Sequence, residues 1–474
     1  MKQLYPLLLV LLMPGLAVSA VPGDSLSTNA RPENDTLTTL VAQSFSLPGS
    51  VFSIDYNSRG SMLAAAGRGS AVHLLLPLLG TTLKTMDGFH KDDVRTVEFS
   101  PDDRLLATGS ADRSVIVWDV ASARALRVMN AHENYINDVS WSPDGEILAS
   151  AGRDGRLIFW IPGTGNILKE AERAPHGLTS VSFSPDGFRV AVAGTDGSVS
   201  IYNTVDLTLV HKLKGHSGDV SCVEWSKRSG LVASGSWDDE TRIWNAYAGH
   251  KVSVLRGHTT DVNCLAFSPD GTVLATSGGD MTIKLWDLPT GQEIITIREG
   301  GHTTDVEDIS FNHNGTQLAT CSRDGKINVW TVPSLEERFN AAIKTEMDKW
   351  KVKGIYEKTT DYEKRMGKSV RHVEEVRAEL ENQLADFYES NIDWRSDLTF
   401  RTYNADGEYF PLTSPLFGSL KITVKNDDAP VVAENIDRLI FKNLNLRVRK
   451  GRMELRRFVA ELPGTNKRFV VTPL

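Results

Sequence analysis

Histidine, aspartate and serine or threonine recur along the chain at fixed distances from one another, and enzymes use these residue types for acid–base chemistry and metal binding. In five stretches a histidine is followed by a serine or threonine after 18 residues, an aspartate after 22 and a tryptophan after 28. The five sets are His90, Thr108, Asp112, Trp118; His132, Ser150, Asp154, Trp160; His216, Ser234, Asp238, Trp244; His258, Thr276, Asp280, Trp286; and His302, Thr320, Asp324, Trp330.

The regularity of these sets favours a structural role over a catalytic one. His176 occupies the same repeated position, so six of the 11 histidines recur for one reason. The other five show no metal-ligand spacing: His73, His211, His250, His313 and His372. The sequence also has no glycine-rich phosphate loop and no nucleophile elbow. We therefore expect no catalytic residue, no bound metal and no cofactor.

The spacing also predicts the elements that position these residues. The aromatic residue that ends each repeat falls at positions 118, 160, 202, 244, 286 and 330, so the intervals are 42 four times and then 44. Within a repeat, apolar and polar residues alternate, and "SPDG" supplies a turn. Four strands of about six residues with short turns fill such a period. Each repeat is thus predicted to be a four-stranded antiparallel sheet, and a ring of such sheets buries both faces of each.

On these motifs the stretch 37–332 resembles a WD-repeat β-propeller, of the bacterial exported type. The resemblance implies that the tryptophan, hydroxyl, histidine and aspartate of one blade form a buried hydrogen-bond chain. The fourth blade has Val192 and Tyr202 and cannot form it. A seventh unit precedes the others, ending near Leu76, and has strand patterning without the four polar residues. The same spacing places a strand within 37–46 that completes the last blade and closes the ring.

The resemblance also implies where a partner would bind. In the family, the residue before the buried aspartate faces a partner across the top surface. The corresponding positions here are Gly69, Ala111, Arg153, Thr195, Trp237, Gly279 and Arg323. Tyr135 replaces the aspartate that most other blades carry in the preceding loop. We expect Tyr135, Arg153, Trp237 and Arg323 to bind a partner, because tryptophan and arginine dominate interface energetics. Simple solvation of these side chains is the alternative.

The C-terminal part has a different composition. The stretch 334–392 is charged and favours helix, with capping boxes at "SLEE" (334–337) and "TDYE" (360–363). These predict two helices, roughly 335–353 and 361–390, with an apolar stripe that packs against the propeller or the final sheet. The stretch 397–474 alternates again and predicts a small antiparallel β domain. The expected fold is therefore mainly β, a seven-bladed β-propeller followed by two helices and a small antiparallel β domain.

From about residue 350 the chain resembles an uncharacterised bacterial module associated with propellers, through "KGIYEKTTDYEKR", "YNADGEYF" and "GSLKITV". Some proteins with this module also carry caspase-like peptidases, and no peptidase domain is present here. Between Arg438 and Leu474 lie ten basic residues and two acidic ones. This basic sheet indicates an anionic partner or, alternatively, a solvated face. Few aromatic residues are interleaved there, so we expect no nucleic-acid binding.

The first 20 residues have the pattern of a secretory signal peptide, with Lys2, an apolar run and small residues before the predicted cleavage point after Ala20. The apolar run is too short to span a bilayer, so we expect no transmembrane segment. The three cysteines, Cys222, Cys264 and Cys321, are expected to be free and structural. A net charge of −8 gives no whole-chain argument for nucleic acid or membrane.

Together these features predict an exported scaffold, periplasmic or extracellular, that is not an enzyme and binds a protein partner through the top surface of its propeller. Two alternatives stay open. One is an enzyme with a site in the central funnel of the propeller. The other is a cytoplasmic scaffold of the same fold, if the N-terminus is not cleaved.

Overall fold

The computed structural model describes residues 41–298, 301–352, 354, 357–391, 398–414, 416–449, 452–463, 465 and 467–474. The predicted signal peptide (1–20) and the first four positions of the predicted closing strand (37–40) lie outside the described residues. Within the described part, no helix is both long and apolar enough to cross a membrane.

Seven antiparallel sheets of four strands form the larger part of the structure, which confirms the predicted propeller. The strands of the first four blades are β2 (Val51–Tyr56), β3 (Leu63–Gly67), β4 (Val72–Leu76), β5 (Thr81–Met86); β6 (Val94–Phe99), β7 (Leu105–Ser110), β8 (Ser114–Asp119), β9 (Arg124–Asn130); β10 (Ile136–Trp141), β11 (Leu148–Gly152), β12 (Leu157–Ile161), β13 (Asn166–Glu170); and β14 (Leu178–Phe183), β15 (Arg189–Gly194), β16 (Ser198–Asn203), β17 (Leu209–Lys214).

The other three blades follow the same order from the innermost strand outwards. Their strands are β18 (Val220–Trp225), β19 (Leu231–Ser236), β20 (Glu240–Asn245), β21 (His250–Arg256); β22 (Val262–Phe267), β23 (Val273–Gly278), β24 (Ile283–Asp287), β25 (Gln292–Ile297); and β26 (Val306–Phe311), β27 (Gln317–Ser322), β28 (Lys326–Thr331) with β1 (Val41–Ser46). We use "top" for the face with the loops between blades and between second and third strands, and "bottom" for the opposite face.

The ring is closed by strands from its two ends. β1 pairs antiparallel with β28, with Phe45 opposite Ile327 and Ser44 opposite Asn328. Ser44 also donates a 2.7 Å hydrogen bond to the Asn328 side chain. Each innermost strand contacts that of the next blade, and β26 contacts β2. The seventh blade therefore takes its outer strand from the start of the described chain and its other three from the end of the propeller.

The hydrophobic core lies between the blades. Seven clusters of buried residues each join two neighbouring blades, and the cluster of the seventh and first blades includes Phe45, Ile54 and Val329. The second strand of each blade is almost wholly buried, as in the Ala64–Ala66 run. Small residues there let neighbouring sheets approach closely, so each blade is stable only next to its neighbours.

The "SPDG" motif forms the bottom turn between first and second strands. In the third blade, Ser142 donates to the Asp144 carboxylate at 2.5 Å, and Gly145 adopts φ of 73°. In the second blade Asp103 stands where five of the other six blades have glycine, and it keeps the left-handed conformation with φ of 63°. Its carboxylate accepts hydrogen bonds from Asn57 and the Ser58 backbone of the first blade. These bonds offset the strain that a side chain brings to this conformation.

The helical segment starts as expected and then differs from the prediction. α1 (Leu335–Lys351) begins at a capping box in which Ser334 and Glu337 bond reciprocally. The second predicted helix is interrupted, giving α2 (Thr359–Met366) and α3 (Ser369–Asn391). The expected capping box at Thr360 is wrong, because the helix begins at Thr359, two residues before the predicted start at 361, and Lys358 at its N-cap makes no side-chain bond. Gly367 ends α2, as glycine is a poor helix former.

The C-terminal sheet has six strands in the order β29-β30-β31-β34-β33-β32. They are β29 (Thr399–Phe400), β30 (Tyr409–Ser414), β31 (Gly418–Thr423), β32 (Ile440–Arg449), β33 (Arg452–Glu461) and β34 (Arg468–Pro473), with a short helix α4 (Ala429–Glu434) that the pattern did not predict.

The α3 helix packs along the edge strand β32. Glu389 accepts a hydrogen bond from the Leu444 backbone and Glu381 accepts one from the Val448 backbone, both at 3.0 Å. The helix thus covers an edge that could otherwise pair with another chain. Only the C-terminal half of the predicted apolar stripe is used. Leu384 is buried against the sheet, whereas Val370 is 74% exposed.

Candidate functional site

Each of the five sets forms a continuous hydrogen-bond chain inside its blade, from the tryptophan through the hydroxyl and the histidine to the aspartate. In the second blade the Trp118 indole donates to the Thr108 hydroxyl at 2.9 Å, and that hydroxyl lies 2.7 Å from Nε2 of His90. Nδ1 of the same ring lies 3.1 Å from the Asp112 carboxylate. The other four sets repeat this geometry with distances of 2.7–3.3 Å.

The bonding fixes the protonation state of these histidines. The tryptophan can only donate, so the hydroxyl accepts from it and donates to Nε2, which leaves the proton on Nδ1 facing the aspartate. Burial lowers the pKa of His216 and of His302, which keeps both rings neutral. Burial raises the pKa of Asp154, but hydrogen bonds from His132 and the Glu133 backbone outweigh it, so that the pKa falls to about 2. Within each of the five sets, the histidine is thus engaged on both ring nitrogens by the other side chains of its own set.

Two blades lack this chain. In the fourth, His176 lies 3.4 Å from Asp196, but Val192 and Tyr202 provide neither the hydroxyl nor the indole. The first has none of the four residues, and its equivalent of the buried aspartate is Gly69. In the first blade, apolar residues such as Leu74 and Val72, which are fully buried, occupy the core.

A second set of carboxylates lies on the innermost strands and was missed from the sequence. Asp55 accepts a 2.8 Å hydrogen bond from the Phe99 backbone of the next blade, and Glu98 accepts one of 2.8 Å from Trp141. Glu224 does the same for Phe267 at 2.6 Å. Two further carboxylates, Asp138 and Asp308, also accept hydrogen bonds of 2.9 Å from the next blade. Their donors are backbone N–H groups two residues earlier on the innermost strand. The signal was a charged residue directly before the aromatic in "SIDY", "TVEF" and "CVEW".

These carboxylates serve as links between blades. An innermost strand has a free edge, and its N–H groups need acceptors. Burial raises the pKa of Asp55 and of Glu224 to about 7, against the opposing charge of Lys227, and burial raises that of Asp138 to about 6. Among the described residues, no cluster of three His, Cys, Asp or Glu side chains could hold a metal ion.

The three cysteines are free thiols, and none is in a disulfide. The Cys264 thiol lies 2.8 Å from the Asp308 carboxylate. A hydrogen bond with Cys222 and burial raise the pKa of Cys264 well above its usual value, and burial does the same for Cys321. Cys222 and Cys321 are buried and act as part of the core, and Cys264 is half-buried.

The bottom of the propeller is partly covered by the helices. Arg338 of α1 is 7% exposed and donates to Asp287 at 2.6 Å and to Thr272 at 3.1 Å. Tyr388 of α3 donates to the Asp270 carbonyl at 3.3 Å. These contacts fix α1 and α3 to the turns of the sixth blade, and a hydrogen bond of 2.9 Å from the Gly230 backbone to the carbonyl of Asn391 extends them to the fifth.

The top surface carries the four predicted partner-binding residues. Trp237 is 54% exposed and Tyr135 is 41% exposed. Arg153 is also exposed, and its backbone N–H donates to the Tyr135 carbonyl at 2.8 Å. Arg323 is exposed but engaged, at 2.5 Å from Glu307 and 3.5 Å from Asp305. The four lie in the third, fifth and seventh blades, around the opening of the ring.

The same backbone contact corrects the position assigned in the first blade. In each blade the residue after the second strand donates its N–H to the residue before the first strand, as Trp237 does to Asp219. In the first blade the donor is Arg68, bonded to Ser50 at 2.8 Å, and not Gly69. The sequence interval was one residue out because the step from the first blade to the second is 43 residues, from Ser50 to Asp93, whereas the step from Asp93 to Tyr135 is 42. A further arginine, Arg95, lies over the Tyr135 ring at 5.2 Å from its centroid.

The basic residues of the C-terminal sheet are partly neutralised. Glu461 lies within 3.1 Å of both Lys442 and Arg468. Arg447 is exposed and pairs in register with Glu454. A groove of about 620 Å³ between α1, α3 and this sheet is lined by three arginines and three glutamates, Arg377, Arg447, Arg456, Glu336, Glu374 and Glu381. The described part of this sheet thus has no uniformly basic face.

Comparison with known proteins agrees with the repeat. The family model "WD domain, G-beta repeat" matches residues 80–119, 123–160, 170–203, 207–245, 249–287 and 291–331. Each match begins in, or one or two residues before, the outer strand of one blade and ends in the third strand of the next. The first blade is not matched before residue 80, in agreement with its lack of the buried polar residues.

Several curated proteins are similar over short stretches. "DDB1- and CUL4-associated factor 10" of Xenopus laevis is 31% identical over 108 residues, which is 23% of this chain and 20% of that protein. The human protein of the same name is 36% identical over 72 residues, covering 15% and 13%. "WD repeat-containing protein SL1-17" of Schistosoma mansoni is 40% identical over 74 residues, covering 16% and 24%. The chain thus spans about a quarter or less of each of these relatives.

Proposed function

Because the chain is a WD-repeat protein whose own helices dock on the bottom of its propeller, we propose that it is a non-catalytic scaffold that binds a protein partner through the top surface. The observation that carries this proposal is Trp237, a large aromatic side chain that is 54% exposed at the top of the fifth blade. The Gly230 turn at the bottom of the same blade bonds to α3. The bottom face of the ring therefore positions the C-terminal module, which comprises α1 to α4 and β29 to β34. The top face presents its exposed aromatic and arginine side chains to solvent.

The side chains around Trp237 fit a protein interface. Tyr135, Arg153 and Arg323 belong to the types that contribute most to interface energies. Arg153 has no ion pair within the described part of the chain, so its charge is available to a partner. The similar proteins are named as factors associated with other proteins, which supports a scaffold role.

The non-catalytic part of the proposal is supported by the use of the reactive side chains. The histidines and aspartates of the five blades are bonded to one another, and the carboxylates of the inner strands accept backbone N–H groups. An enzyme with its site in the central funnel is the alternative. Metal analysis of the purified protein separates the two, since a stoichiometric bound metal contradicts the scaffold.

The partner surface is tested by co-purification. The full-length tagged chain and its Trp237→Ala, Arg153→Ala variant are purified from the same cells, and the companions of each are identified by mass spectrometry. We expect the variant to lose companions that the unchanged protein retains. Recovery of the same companions by both would contradict the top-surface assignment.

A matched control keeps this test specific. Phe188→Ala with Arg371→Ala also removes one exposed aromatic and one exposed arginine. Phe188 is 65% exposed in a bottom turn of the fourth blade, and Arg371 lies on α3. This control should keep every companion, because neither side chain lies on the top surface.

We also propose that the protein is exported to the periplasm or the extracellular space. The support is the sequence of residues 1–20, a short positive region, an apolar run and small residues before Ala20. N-terminal sequencing of the mature protein tests this. A start at residue 21 agrees with export, and a start at Met1 rules out cleavage and favours a cytoplasmic scaffold.

A further inference from the structure

Three positions of each blade surround the opening on the top surface, and we name them the inner rim. They are the residue before the first strand, the second residue of that strand and the residue after the second strand. In blade order the inner rim comprises Ser50, Phe52, Arg68; Asp93, Arg95, Ala111; Tyr135, Asn137, Arg153; Gly177, Thr179, Thr195; Asp219, Ser221, Trp237; Asp261, Asn263, Gly279; and Asp305, Glu307, Arg323.

The charges of the inner rim are separated into two halves. The first three blades contribute three exposed arginines, Arg68, Arg95 and Arg153, against one acid, Asp93. The fourth blade contributes no charge. The last three blades contribute one arginine, Arg323, against four acids. The acids are Asp219, Asp261, Asp305 and Glu307. The positive half and the negative half therefore lie on opposite sides of the same opening.

These charges are largely open to a partner. Within the described residues, Arg68, Arg95 and Arg153 form no ion pair, and neither do Asp219 and Asp261. Arg323 is the exception, because it is bound by Asp305 and Glu307 of its own blade. That pairing neutralises the one positive charge of the negative half against acids of its own blade, and the half stays negative. The two halves thus keep opposite signs after the internal ion pairs are counted.

Each half also has an aromatic anchor suited to its sign. Trp237 is exposed, its backbone N–H donates to the Asp219 carbonyl, and Asp261 precedes the first strand of the next blade. An indole face beside carboxylates is favourable for a lysine or arginine side chain of a partner. In the positive half, the exposed Arg95 guanidinium lies over the Tyr135 ring, 5.2 Å from its centroid. Arginines in such positions bind carboxylates with good geometry.

From this separation we propose that the partner segment is a peptide stretch with an acidic block next to a basic block. The acidic block binds Arg68, Arg95 and Arg153, and a basic side chain of the other block packs on Trp237 between Asp219 and Asp261. This inference rests on the proposed function, and adds the chemistry of the partner. Complementary charge of this kind sets the orientation of a partner and rejects segments of uniform charge.

The test uses two synthetic peptides of equal composition and zero net charge. One has four glutamates, a Gly-Ser linker and four lysines in blocks, and the other has the same residues alternating. Binding to the full chain is measured by fluorescence anisotropy. We expect the block peptide to bind about tenfold more tightly than the alternating one. The difference should shrink at high salt, because the screening length falls from about 8 Å at physiological ionic strength to about 3 Å at 1 M. Equal binding of the two peptides would overturn the proposal.

Charge reversal gives the matched variants. Arg68→Glu with Arg153→Glu, and separately Asp219→Lys with Asp261→Lys, should each weaken the block peptide about tenfold. The four substitutions together reverse both halves and should restore binding, because the free peptide can bind in the opposite orientation. Thermal melting checks that each variant is folded. If the fourfold variant is folded and binds no better than the double variants, complementary charge separation is wrong.

The outcomes distinguish this inference from the proposed function. If the Trp237→Ala, Arg153→Ala variant loses its companions but the two peptides bind equally, the top surface binds a partner and the charge inference fails. If that variant keeps all companions, the proposed function itself fails.

Discussion

Arg338 of the first helix donates a hydrogen bond to Asp287 at the bottom of the sixth blade across 2.6 Å, and both side chains are largely shielded from water. The guanidinium also donates to Thr272. This bond joins two parts of the chain that the sequence presents as separate segments. It makes the C-terminal module a fixed part of the propeller, and it leads to the first of four predictions.

Replacing Arg338 by methionine should loosen the module without unfolding the ring. Loss of one partner of a buried ion pair costs about 3 kcal/mol, because the other charge is left uncompensated. Hydrogen exchange followed by mass spectrometry should show faster exchange in α1 and unchanged exchange in the blades far from it. Arg371→Met is the control, since its pair with Glu375 is exposed and such pairs contribute under about 0.5 kcal/mol. Equal effects of the two changes would contradict this role of Arg338.

The buried hydrogen-bond chains are tested in the seventh blade. Thr320→Val keeps the shape of the side chain but removes the hydroxyl that joins His302 to Trp330. Two buried polar groups then lack partners, so the free energy of unfolding should fall by about 2–4 kcal/mol. Thr320→Ser keeps the hydroxyl and should lose less than about 1 kcal/mol. Thermal melting that ranks the two variants equally would show that the hydrogen bonds do not stabilise the blade.

The strand that closes the ring is tested through Phe45. This side chain is 7% exposed and packs in the cluster between the seventh and first blades. Phe45→Ala should destabilise the protein by about 3–5 kcal/mol, because it leaves a cavity in a packed core. Val41 on the same strand is 40% exposed, and Val41→Ala should change stability by under about 0.5 kcal/mol. Chemical denaturation of both variants measures the difference, and no difference would mean that β1 does not lock the ring.

The inner carboxylates predict an unusual dependence of stability on pH. Burial raises the pKa of Glu224 to about 7 from its ordinary 4.5. Between these values the folded protein holds a proton that the unfolded chain has lost, so this residue makes the free energy of unfolding fall as pH rises from 4.5 to 7. Glu224→Gln can still accept the Phe267 N–H but does not titrate. It should be more stable than the unchanged protein at pH 8, by on the order of 2 kcal/mol, and similar to it at pH 4.

Melting curves measured from pH 4 to pH 8 check this prediction. The control is Glu374→Gln, which changes an exposed glutamate on α3. The control should follow the unchanged protein at every pH. A Glu224→Gln curve parallel to that of the unchanged protein would show that this carboxyl titrates alike in the folded and unfolded states.

Much of the ring could be predicted because it is written as a local pattern repeated many times. The interval of 42 residues from Trp118 to Trp160 and onwards marks one blade, and strand alternation within it marks four strands. The place of the closing strand also follows from the interval. Several repeats show the same spacing independently, so one irregular blade, such as that of Val192 and Tyr202, does not obscure the pattern.

Other features could not be predicted from the sequence, for local reasons or because they depend on contacts between distant residues. The offset at Arg68 arises from one extra residue between the first and second blades, which an even interval cannot reveal. The interruption at Gly367 depends on a single weak helix former in a favourable stretch. The carboxylates Asp55 and Glu224 look like ordinary solvent-facing positions of a strand, and only the adjoining blade supplies the N–H groups that they accept.

By itself the sequence determined the blade, its repetition and the residues that hold each blade together, since these depend on spacing along the chain. The family resemblance placed Arg153 and Trp237 on the top surface, and the tertiary structure decided which further residues, such as Arg68 and Asp261, share that opening. Arg68, Arg153, Trp237 and Asp261 are far apart in the chain, and their common position follows from the closing of the ring. The separation of charge around that opening is therefore a property of the closed ring, because no single repeat contains both halves.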